Sequence, residues 1–207
     1  MKNKSLFIVF EGIDGSGTTT QSKILKKWLV KKGYKVHLTA EPSDNFIGNT
    51  IRQILKKRVI PSADSLSPEI DHKTIALLFA ADRLDHIQNE IAPLLKNNHV
   101  VISDRYTVSS IVYQGEYTKD KKWVETINKY ALIPDITFFI DIDGEIAFER
   151  ISKRELALEI FEKESKLIKL SERYRDVIKK QENIVTIDGT QSIENIAKII
   201  KKRLDKI

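Results

Sequence analysis

Nine residues near the N-terminus, Gly12-Ile13-Asp14-Gly15-Ser16-Gly17-Thr18-Thr19-Thr20, bring together three glycines, four hydroxyls and one carboxylate. Glycines let a backbone turn its N–H groups inward on an anion. A helix opening at Thr18 adds the positive end of its dipole to the same spot. This is chemistry for holding phosphate, and it assigns Gly12, Asp14, Gly15, Ser16, Gly17, Thr18, Thr19 and Thr20 to a phosphate-binding loop. The Thr19 hydroxyl stands where one oxygen ligand for Mg²⁺ is wanted. Gly12, Gly17 and Thr19 match the spacing G-x-x-x-x-G-K-[ST], but Thr18 occupies the lysine position. Loss of one preorganised donor from a site where charge develops costs about 3–4 kcal/mol, on the order of a hundredfold or more in rate. Three readings follow: another basic residue replaces it, turnover is slow, or nucleotide is bound without phosphate being transferred.

A second cluster is Asp104-Arg105-Tyr106. Its aspartate can hold Mg²⁺ directly or through water, and its arginine offers a planar fork of donors to two phosphates; the plainer alternative is an ion pair at a strand end. Phe79 and Arg83 in LLFAADRLD lie one helical turn apart, so both can face one site, with Phe79 on a base and Arg83 on a monophosphate. By pattern alone a phenylalanine in TIALLFA is more often core. Glu41-Pro42 reads as a turn, with a proline that pushes its neighbour toward extended geometry and permits a cis bond. Arg150, Lys153 and Arg154 fall in a charged segment, either a solvated helix or a lid whose cations close over a nucleotide. A lid cation is the best substitute for the missing lysine.

These residues need a scaffold, and the chain alternates two periods. Strand-like runs cover Leu6–Phe10, Lys35–Thr39, His99–Ser103, Ile136–Ile140 and Asn183–Ile187. Helical patterns cover Thr18–Lys32 (ended by Gly33), Ile47–Lys57, Pro68–Leu95 with a bend near Pro93, Lys121–Ala131, most of Glu145–Lys180, and Ser192–Leu204. Alternation of this kind implies an α/β fold of three layers, a parallel five-stranded sheet with helices on both faces. Ligands bind such sheets beyond the carboxyl ends of the strands. Gly12–Gly17, Glu41, Asp104–Arg105 and Asp141 all follow predicted strands, as that rule requires. No repeat or linker divides the 207 residues, so a single domain over 1–207 is expected.

Composition narrows the classes further. With no cysteine, disulfides and thiolate metal sites are excluded, and a reducing cytoplasm is the natural setting. The apolar run after MKNKS is too short for a secretion signal, and nothing approaches the roughly 20 apolar residues of a membrane span. The net charge of +6 would suit nucleic acid, but the lysines are spread along helical patterns such as Lys23, Lys26, Lys27 and Lys198, Lys201, Lys202, which reads as solvated faces. No nucleic-acid or membrane partner is expected.

Taken together, FEGIDGSG (Phe10 to Gly17), Glu41-Pro42, Phe79 with Arg83, and DRYTVSSIVYQG (Asp104 to Gly115) resemble the thymidylate kinase family over essentially the whole chain. The resemblance implies a P-loop nucleoside-monophosphate kinase fold, ATP and dTMP as substrates, Mg²⁺ as cofactor, and a homodimer. It places Asp14 near the acceptor, Phe79 on thymine, Arg83 at the base and acceptor site, Arg105 on the dTMP phosphate and Asp104 at Mg²⁺. It also makes Ser110 a polar base contact, Tyr113 the neighbour of the deoxyribose, Gln114 close by, and Arg150 and Arg154 lid arginines, with the lid at about 150–160. Glu41 and Pro42 join the substrate site on the same ground. Thr18 for lysine, and Ala40 where relatives often carry arginine, depart from the family pattern. A kinase for another acceptor, or a binding protein impaired by Thr18, are the alternatives.

Overall fold

The computed structural model describes residues 4–56, 58, 70–153 and 160–205. Five strands form in it: β1 (Leu6–Glu11), β2 (Lys35–Ala40), β3 (His99–Asp104), β4 (Ile136–Asp141) and β5 (Ile184–Asp188). All pair in parallel in the order β2-β3-β1-β4-β5. The helices are α1 (Thr18–Lys31), α2 (Phe46–Leu55), α3 (His72–His86), α4 (Ala92–Lys96), α5 (Thr107–Thr118), α6 (Lys121–Ile127), α7 (Gly144–Ser152), α8 (Ile160–Ile178) and α9 (Ile193–Leu204).

The period of two in each strand builds the three layers. Ile8, Phe10, Val100, Ile102, Phe138 and Ile140 point to one face, where Leu25 and Leu29 of α1 and Ile196 and Ile200 of α9 cover them. Phe7, Val9 and Val101 point to the other face, under Ile91, Leu94 and Leu95. Phe139 shares that face with Val108 and Val112 of α5 and Leu170 and Tyr174 of α8. Strands covered on both sides read as continuous apolar runs, which is why β1, β3 and β4 are visible in the sequence. The register sets the carboxyl ends level: Asp104 lies beside Phe10 on one side and Ala40 on the other. Everything that follows a strand therefore emerges at one edge.

The structure departs from the sequence reading in four places. Residues Thr107–Thr118, assigned no element from the sequence, form α5. TVSSIVYQGEYT is rich in β-branched residues, serine and glycine, all poor helix formers, so tertiary contacts hold it helical. The long helix expected to Leu95 is interrupted not at Pro93 itself but in the turn before it. Ile87–Ile91 is a π-helical turn, closed where the Ala92 N–H donates to the Ile87 carbonyl. Its predicted start at Pro68 lies outside the described residues; α3 begins at His72, where the Asp71 side chain accepts from the Thr74 N–H at 3.0 Å. Helix α6 stops at Ile127 instead of Ala131, because Asn128 folds back to donate to the Val124 carbonyl at 2.8 Å.

Candidate active site

Glycine shapes the phosphate loop. Gly15 and Gly17 have φ of 83° and 101°, left-handed values that L side chains avoid. A Cβ on Gly12 would lie 2.5 Å from the Ser16 hydroxyl and 2.9 Å from the Ile140 carbonyl. Gly17 caps α1 without a side chain, and while the Thr20 N–H donates to the Gly17 carbonyl at 3.1 Å, the first N–H groups of the helix face the loop where an anion would sit. Thr18 opens α1 and is buried. The lysine position thus holds a short, enclosed hydroxyl in place of a long cation.

Thr19 and Asp104, expected to share Mg²⁺, meet across the loop: the Thr19 hydroxyl donates to Asp104 Oδ2. The other carboxylate oxygen, Oδ1, is buried without a hydrogen-bond partner. A hard-oxygen pair with one unsatisfied atom fits Mg²⁺, which takes one or two protein oxygens and completes its shell with phosphate and water. Among the described residues there is no cluster of three or more His, Asp or Glu that would cage a metal alone.

Arg105 crosses the phosphate loop. Its Nη1 donates to the Gly12 carbonyl at 2.9 Å, to Ser109 Oγ at 3.1 Å and to the Tyr174 hydroxyl at 3.2 Å. Its Nη2 donates to Asp14 Oδ1 at 2.6 Å, and the guanidinium sits 5.4 Å from the centre of the Tyr113 ring. Its φ is 75°, and a hydrogen bond from its N–H to the Phe10 carbonyl at 2.8 Å holds that left-handed turn. Backbone strain of this kind costs on the order of 1–2 kcal/mol and collects at functional sites. Burial works against its charge, but Tyr113, Tyr174, Asp14 and Glu11 more than compensate and raise its pKa. The Tyr113 hydroxyl is pushed up to about 12, chiefly by burial.

Next to this phosphate cluster lies a buried charged knot. Arg83 is 1% exposed. Its Nε and Nη2 donate to Glu41 Oε2 at 2.9 and 2.6 Å. Nη2 also reaches the Tyr106 carbonyl at 3.2 Å and Ser110 Oγ at 2.9 Å, and Nη1 donates to Asn128. Glu41 turns its other oxygen to His86 Nδ1 at 3.3 Å. The Glu41-Pro42 bond is cis. Asp82 accepts from the Ser43 N–H at 2.8 Å and its hydroxyl at 2.6 Å, fixing the loop after Pro42. His86 has a raised pKa: burial opposes its charge, but the hydrogen bond to Glu41 and the charges of Glu41, Glu90 and Asp82 prevail.

The predicted residues thus fall into two groups. Gly12–Thr20, Asp104, Arg105 and Arg150 surround the loop, where Arg150 Nη1 reaches the Gly15 carbonyl at 3.4 Å and Nη2 the Gly189 carbonyl at 2.9 Å. Glu41, Arg83 and Ser110 form the second group, joined to the first through Tyr106 and α5. Phe79 is half-buried, one turn before Arg83 on α3, and outside the three apolar clusters of the described residues. Arg83 is enclosed by protein partners and does not itself face solvent. Gln114 is 8% exposed, with its Oε1 lacking a hydrogen-bond partner. Arg154, and the lid from 154 to 159, lie outside the described residues.

Sequence reasoning missed Glu11, Ser109, Tyr174, Asp82, His86 and Asn128. Glu11 is fully buried; Oε1 accepts from the Tyr106 and Ser109 N–H groups at 3.0 and 3.2 Å, and Oε2 from Ser109 Oγ at 2.6 Å. It caps α5 from another element, a role no local motif encodes. A charged residue ending the apolar run Leu6–Phe10 was the one available signal.

A family description, thymidylate kinase, matches residues 10–200. A probable thymidylate kinase of Methanosphaera stadtmanae is 40% identical over 202 residues, covering 97% of this chain and 98% of that protein. A probable thymidylate kinase of Methanocaldococcus jannaschii is 40% identical over 193 residues, covering 93% and 92%. A thymidylate kinase of Thermosipho africanus is 37% identical over 207 residues, covering 97% and 98%.

Proposed function

The chain belongs to the thymidylate kinase family, as an ATP-dependent dTMP kinase, and we propose that it transfers the γ-phosphoryl group in line to the 5′-phosphate of dTMP at the carboxyl edge of its sheet. The acceptor phosphate is already a nucleophile, so positioning and charge neutralisation do the catalysis and no strong base is required. The backbone of 15–19 holds the donor phosphates. Thr19 and Asp104 would hold Mg²⁺, which would neutralise phosphate charge there. Arg105 aligns the acceptor phosphate, with Asp14 beside it, and Arg150 and Arg154 spread the charge of the transition state. Arg150 already lies against the Gly15 carbonyl and is the cation that stands in for the lysine absent at Thr18. Phe79 stacks on thymine. Arg83 works from behind, holding Ser110 and Glu41 where Tyr113, Gln114 and Pro42 complete the nucleoside site.

One observation carries the residue assignment: Arg105 donates at once to the Gly12 carbonyl and to Asp14, while Asp104 beside it accepts from Thr19. One dipeptide therefore joins the donor loop, the metal oxygens and the acceptor side. The chain acts as a single unit with its lid near 150–160. No described helix is long and apolar enough to cross a membrane, and a cytoplasmic setting fits the absence of cysteine. Leu77 and Leu84, two turns apart on α3, are 50% and 43% exposed and support a homodimer through that helix, which sedimentation would test. The assay is ADP release from Mg-ATP with dTMP, dUMP, UMP, CMP, AMP and GMP offered in turn. Turnover strongest with dTMP and lowered about a hundredfold or more by Arg105→Ala is expected; unchanged turnover in Arg105→Ala sinks the assignment.

A further inference from the structure

Tyr174 lies on α8, 69 residues beyond Arg105, and is fully buried. Its ring stacks on Phe139 at 5.6 Å and meets Tyr113 edge-on at 6.2 Å. A phenylalanine would pack equally well there. The hydroxyl is what phenylalanine lacks, and burying a hydroxyl is costly unless it is hydrogen-bonded. It lies 2.7 Å from Ser109 Oγ, 3.2 Å from Arg105 Nη1 and 3.3 Å from Glu11 Oε2. Three polar groups from three different elements converge on that one atom.

We propose that Tyr174 is a positioning residue for phosphoryl transfer: its hydroxyl, with Ser109 and Glu11, holds the Arg105 guanidinium over the phosphate loop and ties that arginine to helix α8. This rests on the role given above to Arg105. Helix α8 is itself anchored: its Arg175 is bound to Asp141 at 2.9 Å and to Asp143 at 2.6 Å, at the start of α7. Arg173 pairs with Glu116 of α5. The backbones of α7 and α8 touch so closely that a Cβ on Gly144 would collide with Ile168. Arg150, on α7, and Tyr174, on α8, are thus carried by one closely packed helix pair.

The test is a double-mutant cycle. Tyr174→Phe keeps the ring and removes the hydroxyl. Misplacing a catalytic group by about 1 Å can cost on the order of a hundredfold; with Ser109 still in place, a loss of about tenfold in kcat with dTMP is expected, with KM for ATP and the thermal midpoint nearly unchanged. In an Arg105→Ala background the same substitution should cost almost nothing more. Ser109→Ala, which deletes the other hydroxyl of the cluster, should repeat the pattern. Unchanged kcat in Tyr174→Phe overturns the proposal, as does an equal loss in the Arg105→Ala background, since that would place the effect elsewhere. A wild-type chain that does not phosphorylate dTMP would overturn the functional reading itself, and the proposal with it.

Discussion

Replacing Arg83 with leucine removes the centre of the buried knot, and the geometry fixes what is lost. The Arg83 side chain is 2% exposed and that of Glu41 is 3%. Leucine would leave Glu41 without its two charge-assisted hydrogen bonds, and Ser110, the Tyr106 carbonyl and Asn128 Oδ1 without the donor they share. Breaking a buried ion pair by deleting one member costs about 3–5 kcal/mol. His86, 3.3 Å from the other oxygen of Glu41 and favoured in its charged form, keeps some compensation, so the lower half of that range is expected. For a chain of this size each kcal/mol moves the thermal midpoint by about 2–4 °C, which predicts a fall of roughly 6–16 °C. Differential scanning calorimetry and urea titration measure it. Because the knot also seats Ser110 and the loop after Glu41, KM for dTMP should rise while KM for ATP stays put. Arg83→Leu unfolding within about 1 kcal/mol of wild type would refute the reasoning, since a buried carboxylate cannot lose its cation so cheaply.

Other substitutions probe the remaining groups. Arg150→Ala should lower kcat by about a hundredfold or more, and adding Thr18→Lys to it should recover part of the loss; an Arg150→Ala enzyme with normal kcat would show that the stand-in cation lies elsewhere. Phe79→Ala should raise KM for dTMP by roughly tenfold or more, from about 1–3 kcal/mol of lost base stacking, with little change in unfolding midpoint; a large stability loss would return Phe79 to the core. His86 has a pKa above its unfolded value of 6.5, so its stabilisation is complete below about pH 6.5 and fades as pH rises through the folded pKa. Urea unfolding across that window should show the decline in wild type, and His86→Gln should remove that part of the slope. Buried Glu11, raised from 4.5 chiefly by desolvation, acts in the same direction: its stabilisation is present below about pH 4.5 and is lost as pH rises through its folded pKa, and Glu11→Gln should remove that part of the slope.

Much of the molecule was legible in the chain. β1, β3 and β4 are buried on both faces, so their apolar runs stand out, and α1 and α9 show a helical period because each covers one side of the sheet. Gly12, Gly15 and Gly17 announce the phosphate loop because backbone that wraps an anion needs conformations few other residues tolerate. The left-handed turn at Arg105, by contrast, has no such local mark, and neither does the capping of α5 by Glu11 across the sheet. Local patterns give α5 little support, since its serines and β-branched residues favour other conformations.

The candidate site residues were named partly by type and spacing and partly by the family resemblance, but the contacts among them were not. The sequence determined that a phosphate loop follows one strand and an Asp-Arg pair another, because each depends on a few consecutive residues. Only the tertiary structure decided that Arg83 is walled in by Glu41, Ser110 and Asn128, that Phe79 lies outside the core, and that Tyr174 of α8 touches Arg105. Those facts rest on side chains tens of residues apart meeting in a low-dielectric interior, where burial makes each polar contact matter and no local period in the chain records the meeting.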